Sequence, residues 1–584
     1  MKISRYFVLF TSLFAFLLGI CPQFISAQTP LKNPQIAKNL PDPKEVSQDS
    51  IKSENSISVT ENSNTKPNSE KLLNRIGTVS SQPISLTLND AIKRALENNN
   101  EIEIAKTDVR IAESNLRSLL GIYDFTLTYS PTFSRQSSTG AADSALTNRT
   151  ATNVLQHNFS IDRPISFGGG NYSTFYNTRR TAGNLTFTFI TDPNTGQTVP
   201  VPVSTNQNTN ELGFNYTQPL LRNRSIDNTR RQIKIQRKRI SQSDADFRRQ
   251  TIQIISQVQT AYWDLVFALR DQQNKVANLN LAKENLRQIE AKIDAGSAAP
   301  LERAEVETEL ANREADVLLA AQQIAINENQ LKQLILRDQT NPDWTNQLVP
   351  TDKPIFSNDP VDLDLAIKDA IENRPELSRL KLEKEVNKID VSFFKNQTLP
   401  QLDLNSGFSL QSVANSRNAA GLPGYLTGGY GQSVQNLFRT DAPNYSVGVT
   451  ISIPFRNKTA KADLATARIQ EERIEAQTRS QEQGIIVEVR NAVQAVETAK
   501  QRVLTARRAR ENAEKQLEGE RQLYEAGKST TFLLFQRENT LTNARNSEIR
   551  AETDLNKAYS DLQRATSTTF RANGIELESP MEDK

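Results

Sequence analysis

Enzyme chemistry near neutral pH draws most often on histidine, cysteine or paired carboxylates, and the first two are almost missing here. Among 584 residues there is one histidine, His157, and one cysteine, Cys21. A single imidazole cannot build a His-based triad, and one thiol leaves no set of thiolate or imidazole ligands for a metal. His157 lies in a strand-like segment and reads as an ordinary strand residue. Acidic residues are plentiful but recur at helix-surface spacings, the pattern of a solvated face, and no carboxylate pair stands out. The glycine-rich run Phe167-Gly168-Gly169-Gly170-Asn171 has no Lys-Ser/Thr and no helix after it, so a turn between strands is expected there, not a phosphate loop. These residues predict no catalytic group, no cofactor and no metal site. The formal net charge is only +3, with both signs interleaved, which gives nucleic-acid binding no support.

What remains is polar contact chemistry at two short breaks in long helical patterns. One is Leu523-Tyr524-Glu525-Ala526-Gly527-Lys528-Ser529-Thr530-Thr531, and its near twin is Ile293-Asp294-Ala295-Gly296-Ser297-Ala298-Ala299-Pro300. Gly527 and Gly296 can end a helix in the left-handed conformation, and the Ser and Thr after Gly527 can cap the next helix. Two helical hairpins with matching tips, at about 294–300 and 524–531, are the expectation.

The flanking elements must be long. Ile240, Phe247 and Ile254 recur every seven residues, as do Leu279, Leu286 and Ile293, and in the second half Val489, Val496 and Val503 lead on to Leu517 and Tyr524. At 1.5 Å per residue, a descending helix over 221–293 would be roughly 105–115 Å long. The return helices carry seams of Leu310, Val317, Ile324 and Leu331, and of Ala544, Ala551, Ala558 and Ala565; an alanine seam allows close helix approach. An ascending helix over 88–120, capped by Asn89 or Asp90, and the return helix would together match one descending helix in length.

Between these helices lie strictly alternating stretches, at about 122–134, 208–218, 400–411 and 444–454. One face of each is Phe, Leu, Val, Ile or Tyr; the other is Thr, Ser, Asn, Asp, Gln or Gly, with almost no Lys or Glu, as the lumen of a membrane barrel would be. Tyr129, Phe133, Tyr216 and Tyr445 would form an aromatic girdle. The strands at 122–134 and 208–218 are expected to pair. Pro219 and Pro454 end the strands and suit the first turn of a following helix, so strand is expected to pass directly into helix. Residues 154–163 and 185–190 also look strand-like, as further barrel strands or as an extracellular hairpin. The openings Leu88-Asn89-Asp90-Ala91-Ile92-Lys93-Arg94-Ala95-Leu96-Glu97-Asn98 and Leu363-Asp364-Leu365-Ala366-Ile367-Lys368-Asp369-Ala370-Ile371-Glu372-Asn373 align without gaps, which reads as an internal duplication.

The chain start carries an export signal. Lys2 and Arg5 precede an apolar run over 6–20, and Ile25-Ser26-Ala27 offers a cleavage site, giving a signal peptide over 1–27. Cys21 invites a lipoprotein reading, but Ile20 stands where a small residue is expected. No later run reaches the ~18 apolar residues of a membrane helix. Residues 28–83, rich in Pro, Ser, Asn, Lys and Gln, are expected to be a disordered linker. The first repeat would span 84–340, an irregular equatorial connection 341–360, the second repeat 361–570 and a tail 571–584.

The paired Leu-x-x-Ala-Ile-Lys-x-Ala-x-Glu-Asn-type openings, the junction Gln218-Pro219-Leu220-Leu221-Arg222 and the two Gly-centred tips resemble the TolC-type outer-membrane efflux family, over residues 86–569. The resemblance implies a fold that is mainly α with transmembrane β. It implies a homotrimer in which four strands per protomer close a 12-stranded barrel and the helices form an α-helical barrel as a periplasmic tunnel. Four strands could not close alone, and an open edge in lipid is not viable. It further implies an outer-membrane location with a periplasmic extension. The protein would then be a passive exit duct for efflux or type I secretion, fed by an inner-membrane transporter of ABC or RND type through a periplasmic adaptor. Gly296, Ser297, Glu302, Tyr524, Gly527, Lys528 and Ser529 would then form the periplasmic aperture and meet the adaptor. Leu533 and Gln536 stand where the family's better-known pattern has acids. The rival expectation is an exported coiled-coil scaffold or tether without channel activity, and an exported hydrolase is a more distant one.

Overall fold

The computed structural model describes residues 79–140, 148–191, 196–296, 299–415, 423–439 and 442–581. The expected signal peptide, Cys21 and most of the expected linker lie outside them, as does Ser297. Residues 79–83 correct the linker boundary. They belong to strand β1 (Val79–Leu86), which pairs in parallel with β6 (Asn346–Pro350) inside the expected equatorial connection.

The expected ascending helix is two helices, α1 (Leu88–Asn98) and α2 (Asn100–Leu120). Thr87, not Asn89 or Asp90, caps α1, its hydroxyl accepting from the Asp90 amide. Asn99 breaks the helix because its extended backbone and side-chain oxygen cap α2, accepting from the amides of Glu101 and Ile102. The second half repeats the break. Here α5 (Leu363–Asn373) and α6 (Pro375–Gln397) meet at Arg374, where the following proline disfavours a helical conformation.

The long helices are α3 (Asn228–Asp294), 67 residues, and α8 (Lys458–Glu525), 68 residues, each about 100 Å. Their return partners are α4 (Pro300–Ile335), 36 residues, and α9 (Thr531–Ala565), 35 residues. The seam residues Ile240, Phe247, Ile254, Val489, Val496, Val503, Ala551 and Ala565 are buried. Shorter helices meet the ends of the return helices through side chains. Asn99 and Asn100 donate to the carbonyls of Leu334 and Arg337 at 3.0 and 2.9 Å, and Arg374 donates to Ala565 O at 2.8 Å. These contacts satisfy carbonyls that a helix C-terminus leaves open. The main core is where α1, α2, α3, α4, β1 and β6 meet, with Tyr262, Ile254 and Leu265 fully buried and Phe570 and, from the tail, Ile575 and Leu577 packed against it.

The sheet departs most from expectation. It has six strands among the described residues, in the order β2 (Thr126–Gly140), β3 (Asn148–Pro164), β4 (Asn171–Thr191), β5 (Thr198–Pro219), β7 (Gln401–Asn415), β8 (Pro443–Ser452), all antiparallel. Four strands were expected, and β2 was expected to pair with β5; β3 and β4 stand between them. Helix α7 (Tyr430–Leu437) packs on β5 and β7, where Asn210 donates to Ser433 Oγ at 2.9 Å and Ser433 to Asn208 O at 3.0 Å. No helix among the described residues is long and apolar enough to cross a membrane.

Neither proline lies in a first helical turn. Pro219 is the last residue of β5, and α3 begins only at Asn228, capped by the Asp227 carboxylate. Pro454 follows β8, and Asn457, left-handed at φ 42°, precedes α8. The chain turns at these junctions before it becomes helical.

Candidate functional site

Each tip is built by helix termination. Gly527 has φ 71°, its amide donates to Tyr524 O at 3.0 Å, and the Lys528 amide donates to Leu523 O at 2.8 Å. These are the two bonds of a Schellman motif. Gly296 has φ 73° and donates to Ile293 O at 2.9 Å. Among the described residues nothing lies within 4 Å of where a Cβ would stand on either glycine, and the left-handed backbone selects glycine there. Thr530 caps α9, and the Glu302 carboxylate caps α4, accepting from the Ala299 amide at 3.3 Å.

The structure brings the two tips together. Thr531 Oγ1 donates to Glu302 Oε2 at 3.3 Å and lies 3.4 Å from the Tyr524 hydroxyl. Lys292 Nζ donates to that hydroxyl at 3.2 Å and lies 4.3 Å from the centre of the Tyr524 ring. A continuous polar chain, Lys292–Tyr524–Thr531–Glu302, therefore ties one hairpin to the other. Glu302 and Tyr524 belong to it. Ser529 does not; it donates to Glu520 within its own hairpin. Lys528 is exposed at the turn. Pro219 and Pro454 sit at the sheet junctions, away from the tips in the chain and in contacts. Lys292 and Thr531 were not singled out from sequence, because neither stands out locally and their partners are 232 and 229 residues distant.

Just behind the tips lies a second set that sequence reasoning missed. Arg313, 3% exposed, meets Glu538, 1% exposed, at 3.0 Å, and also Glu309 at 2.9 Å and Asn278 O at 2.9 Å. Asn285 donates to both Glu538 oxygens at 3.1 and 3.2 Å, and the Arg313 guanidinium lies 5.6 Å from the Phe535 ring centre. The cluster joins α3, α4 and α9. A signal existed, since Arg313 follows Val306 by seven residues and precedes Ala320 by seven, a charge in the apolar register of a helical seam.

A groove of about 690 Å³ runs between α4 and α9 beside the tips, lined by Glu305, Thr308, Phe532, Gln536 and Asn539 among others. At Gln536 the chain lacks an acid, but Glu305 faces the same groove from the other helix. The groove and tips offer polar contacts and one exposed aromatic, Phe532; no arrangement there resembles a catalytic one, and no group of three or more metal-binding side chains occurs among the described residues.

The comparisons with known proteins agree with this architecture. No curated protein matches the chain by sequence. Among solved structures, the outer-membrane channel OprN matches with a TM-score of 0.56 at 17% identity, over 84% of this chain and 94% of that one. The Campylobacter jejuni outer membrane channel CmeC gives 0.55 at 15%, over 84% and 90%, and the outer membrane protein VceC of Vibrio cholerae gives 0.55 at 15%, over 82% and 95%. At these identities the likeness is one of fold. The model of the outer membrane efflux protein family matches residues 202–335 and 366–568, more than half of the sequence. On that match, and with the paired helical hairpins and the sheet now described, the chain belongs to the outer membrane efflux protein family.

Proposed function

We propose that three copies of this chain assemble into a passive exit duct of the outer membrane. Their sheets would close a barrel, and their long helices would form a periplasmic tunnel ending at the paired tips. The observation that carries this reading is the pair of open sheet edges. β2 and β8 each have one neighbour in the sheet, and an unpaired edge in hydrocarbon leaves backbone groups unsatisfied at several kcal/mol each. Closure against further copies removes both edges at once. The helices of the two halves that flank their strands, matching in order and closely in length, support an origin by duplication.

The tips would be the entry aperture and the surface met by a periplasmic adaptor, with Gly296, Ser297, Glu302, Tyr524, Gly527, Lys528 and Ser529 as contacts. An inner-membrane transporter of ABC or RND type would supply both cargo and energy. Opening would be a shift in population: an adaptor that binds a widened tip better draws the equilibrium toward it. Fractionation of cells that make the full chain tests the assembly. The protein should stay with membranes through alkaline carbonate and run on gels as a heat-modifiable trimer. Release by carbonate, with no such trimer, would contradict the reading.

A further inference from the structure

We infer that the hairpin of β3 and β4 is part of the membrane wall, so that the closed barrel has eighteen strands and not twelve. The inference rests on the trimer proposed above and adds its strand count. Three observations carry it.

The first is strand order. A hairpin standing above the barrel would leave β2 and β5 to pair with each other lower down. Among the described residues β2 and β5 do not pair; β2 pairs with β3 from Thr126↔Asp162 to Gly140↔Asn148, and β4 carries the ladder on to β5. Removing the hairpin from the wall would break both ladders.

The second is the position of the turn between β3 and β4. Ile165 donates to Gly170 O at 2.7 Å, and Gln218, at the end of β5, donates to Gly168 O at 2.8 Å. A Cβ on Gly169, whose φ is 71°, would stand 2.6 Å from Asn223 O and 2.7 Å from Arg230 Nη2. The turn is thus wedged against the strand-to-helix junction, on the helical side of the sheet. Both strands therefore run the full height between that junction and the far end. With 17 and 21 residues, each exceeds the ~9–11 that a tilted membrane strand needs.

The third is the phase of the side chains. The register lines up Leu127, Ile161, Thr174, Phe214, Phe408 and Tyr445 on one face. The next positions, Thr126, Asp162, Ser173, Asn215, Gly407 and Ser446, line up on the other. The hairpin alternates in step with the four expected strands, continuing their apolar face outward and their polar face inward. Two large side chains of β4, Phe175 and Arg179, share the inward phase, and Phe175 is accommodated by Gly213 opposite, where a Cβ would lie 2.4 Å from the ring. Barrel diameter grows roughly linearly with strand number, and barrels of about 16–18 strands leave an aqueous channel. The outer section of this duct would be about half as wide again as a twelve-stranded one of the same tilt, with a lumen face of Thr, Ser and Asn.

The test uses the full-length chain carrying Cys21→Ser, purified from outer membranes, with single cysteines at outward Phe159 and Ile161 and inward Ser160 and Ser173. Thr128→Cys and Tyr129→Cys on β2 are the reference pair, and native mass spectrometry counts protomers. A trimer in which a water-soluble maleimide labels Ser160→Cys and Ser173→Cys at least about tenfold faster than Phe159→Cys and Ile161→Cys supports the inference. A trimer with alternation on β2 but equal labelling along the hairpin overturns it and leaves the duct standing. Loss of alternation on β2 as well, or a stoichiometry other than three, overturns both. Should a variant fail to assemble, cryo-electron microscopy of the unaltered trimer decides directly between eighteen strands and twelve.

Discussion

The tip chemistry is one of pairing across the two halves, and its most constrained member is the buried Arg313–Glu538 pair. Both charges are out of water, so their stability depends on each other and on Asn285, Glu309 and the Asn278 carbonyl. Arg313→Met alone, or Glu538→Leu alone, strands a buried charge and is expected to cost about 3–5 kcal/mol. The double substitution removes both charges and should recover most of that loss. The temperature at which the assembled protein dissociates measures all three. Glu302→Lys acts differently. It removes the acceptor for Thr531 and places a cation near Lys292 and Tyr524, so the tie between hairpins should loosen and single-channel conductance should rise; unchanged conductance would remove Glu302 from the closure. At this scale the sequence revealed what is local. Gly296 and Gly527 were legible because a helix break followed by capping residues requires that backbone, whereas Glu302 and Tyr524 were named as site residues only through the family resemblance. Lys292, Thr531 and Glu538 were not, since each takes its meaning from a residue more than 200 positions away.

Element lengths follow from periodicity, and the heptad runs ending at Ile293 and Tyr524 located the long helices to within a few residues at the tip ends. Helix breaks were harder. Nothing in the heptad pattern marks Asn99 as both the end of α1 and the cap of α2, because the choice is made by tertiary hydrogen bonds from Asn99 and Asn100 to the end of α4. The strands pose a related problem. Alternation at 154–163 was visible, but alternation says which face is apolar, not which strand lies beside it, and strand order decided whether the hairpin entered the sheet. The equatorial contacts add a pH dependence. Lys500, 1% exposed on its side chain, donates to Glu497 at 2.9 Å and to Asp359 O. That hydrogen bond holds the Glu497 carboxyl below its ordinary value of 4.5, against the opposing effect of burial. A depressed folded pKa means that the contact stabilises fully above the ordinary carboxylate range, and that this stability is lost as pH falls through the lower folded value. Glu497→Gln should therefore flatten part of the acid-side fall in dissociation temperature; an unchanged acid profile would show that Glu497 contributes nothing to it.

For the whole molecule, composition narrowed the expectations more than it identified a function. One histidine and a near-neutral charge gave catalytic, metal-binding and nucleic-acid readings no support, leaving long helices and a two-faced sheet to be explained by assembly. The single chain cannot complete itself, because among the described residues its sheet has two open edges, at β2 and β8. Membership of the outer membrane efflux protein family is consistent with the proposal that further copies are the missing partners. The central claim is that such an assembly forms a continuous aqueous path, and planar-bilayer recording with purified, heat-modifiable trimers of the full chain tests it most directly. The account predicts discrete, uniform conductance steps on insertion that grow larger in Glu302→Lys. Correctly assembled trimers that insert and leave the bilayer silent, in both the unaltered chain and the Glu302→Lys variant, would contradict it.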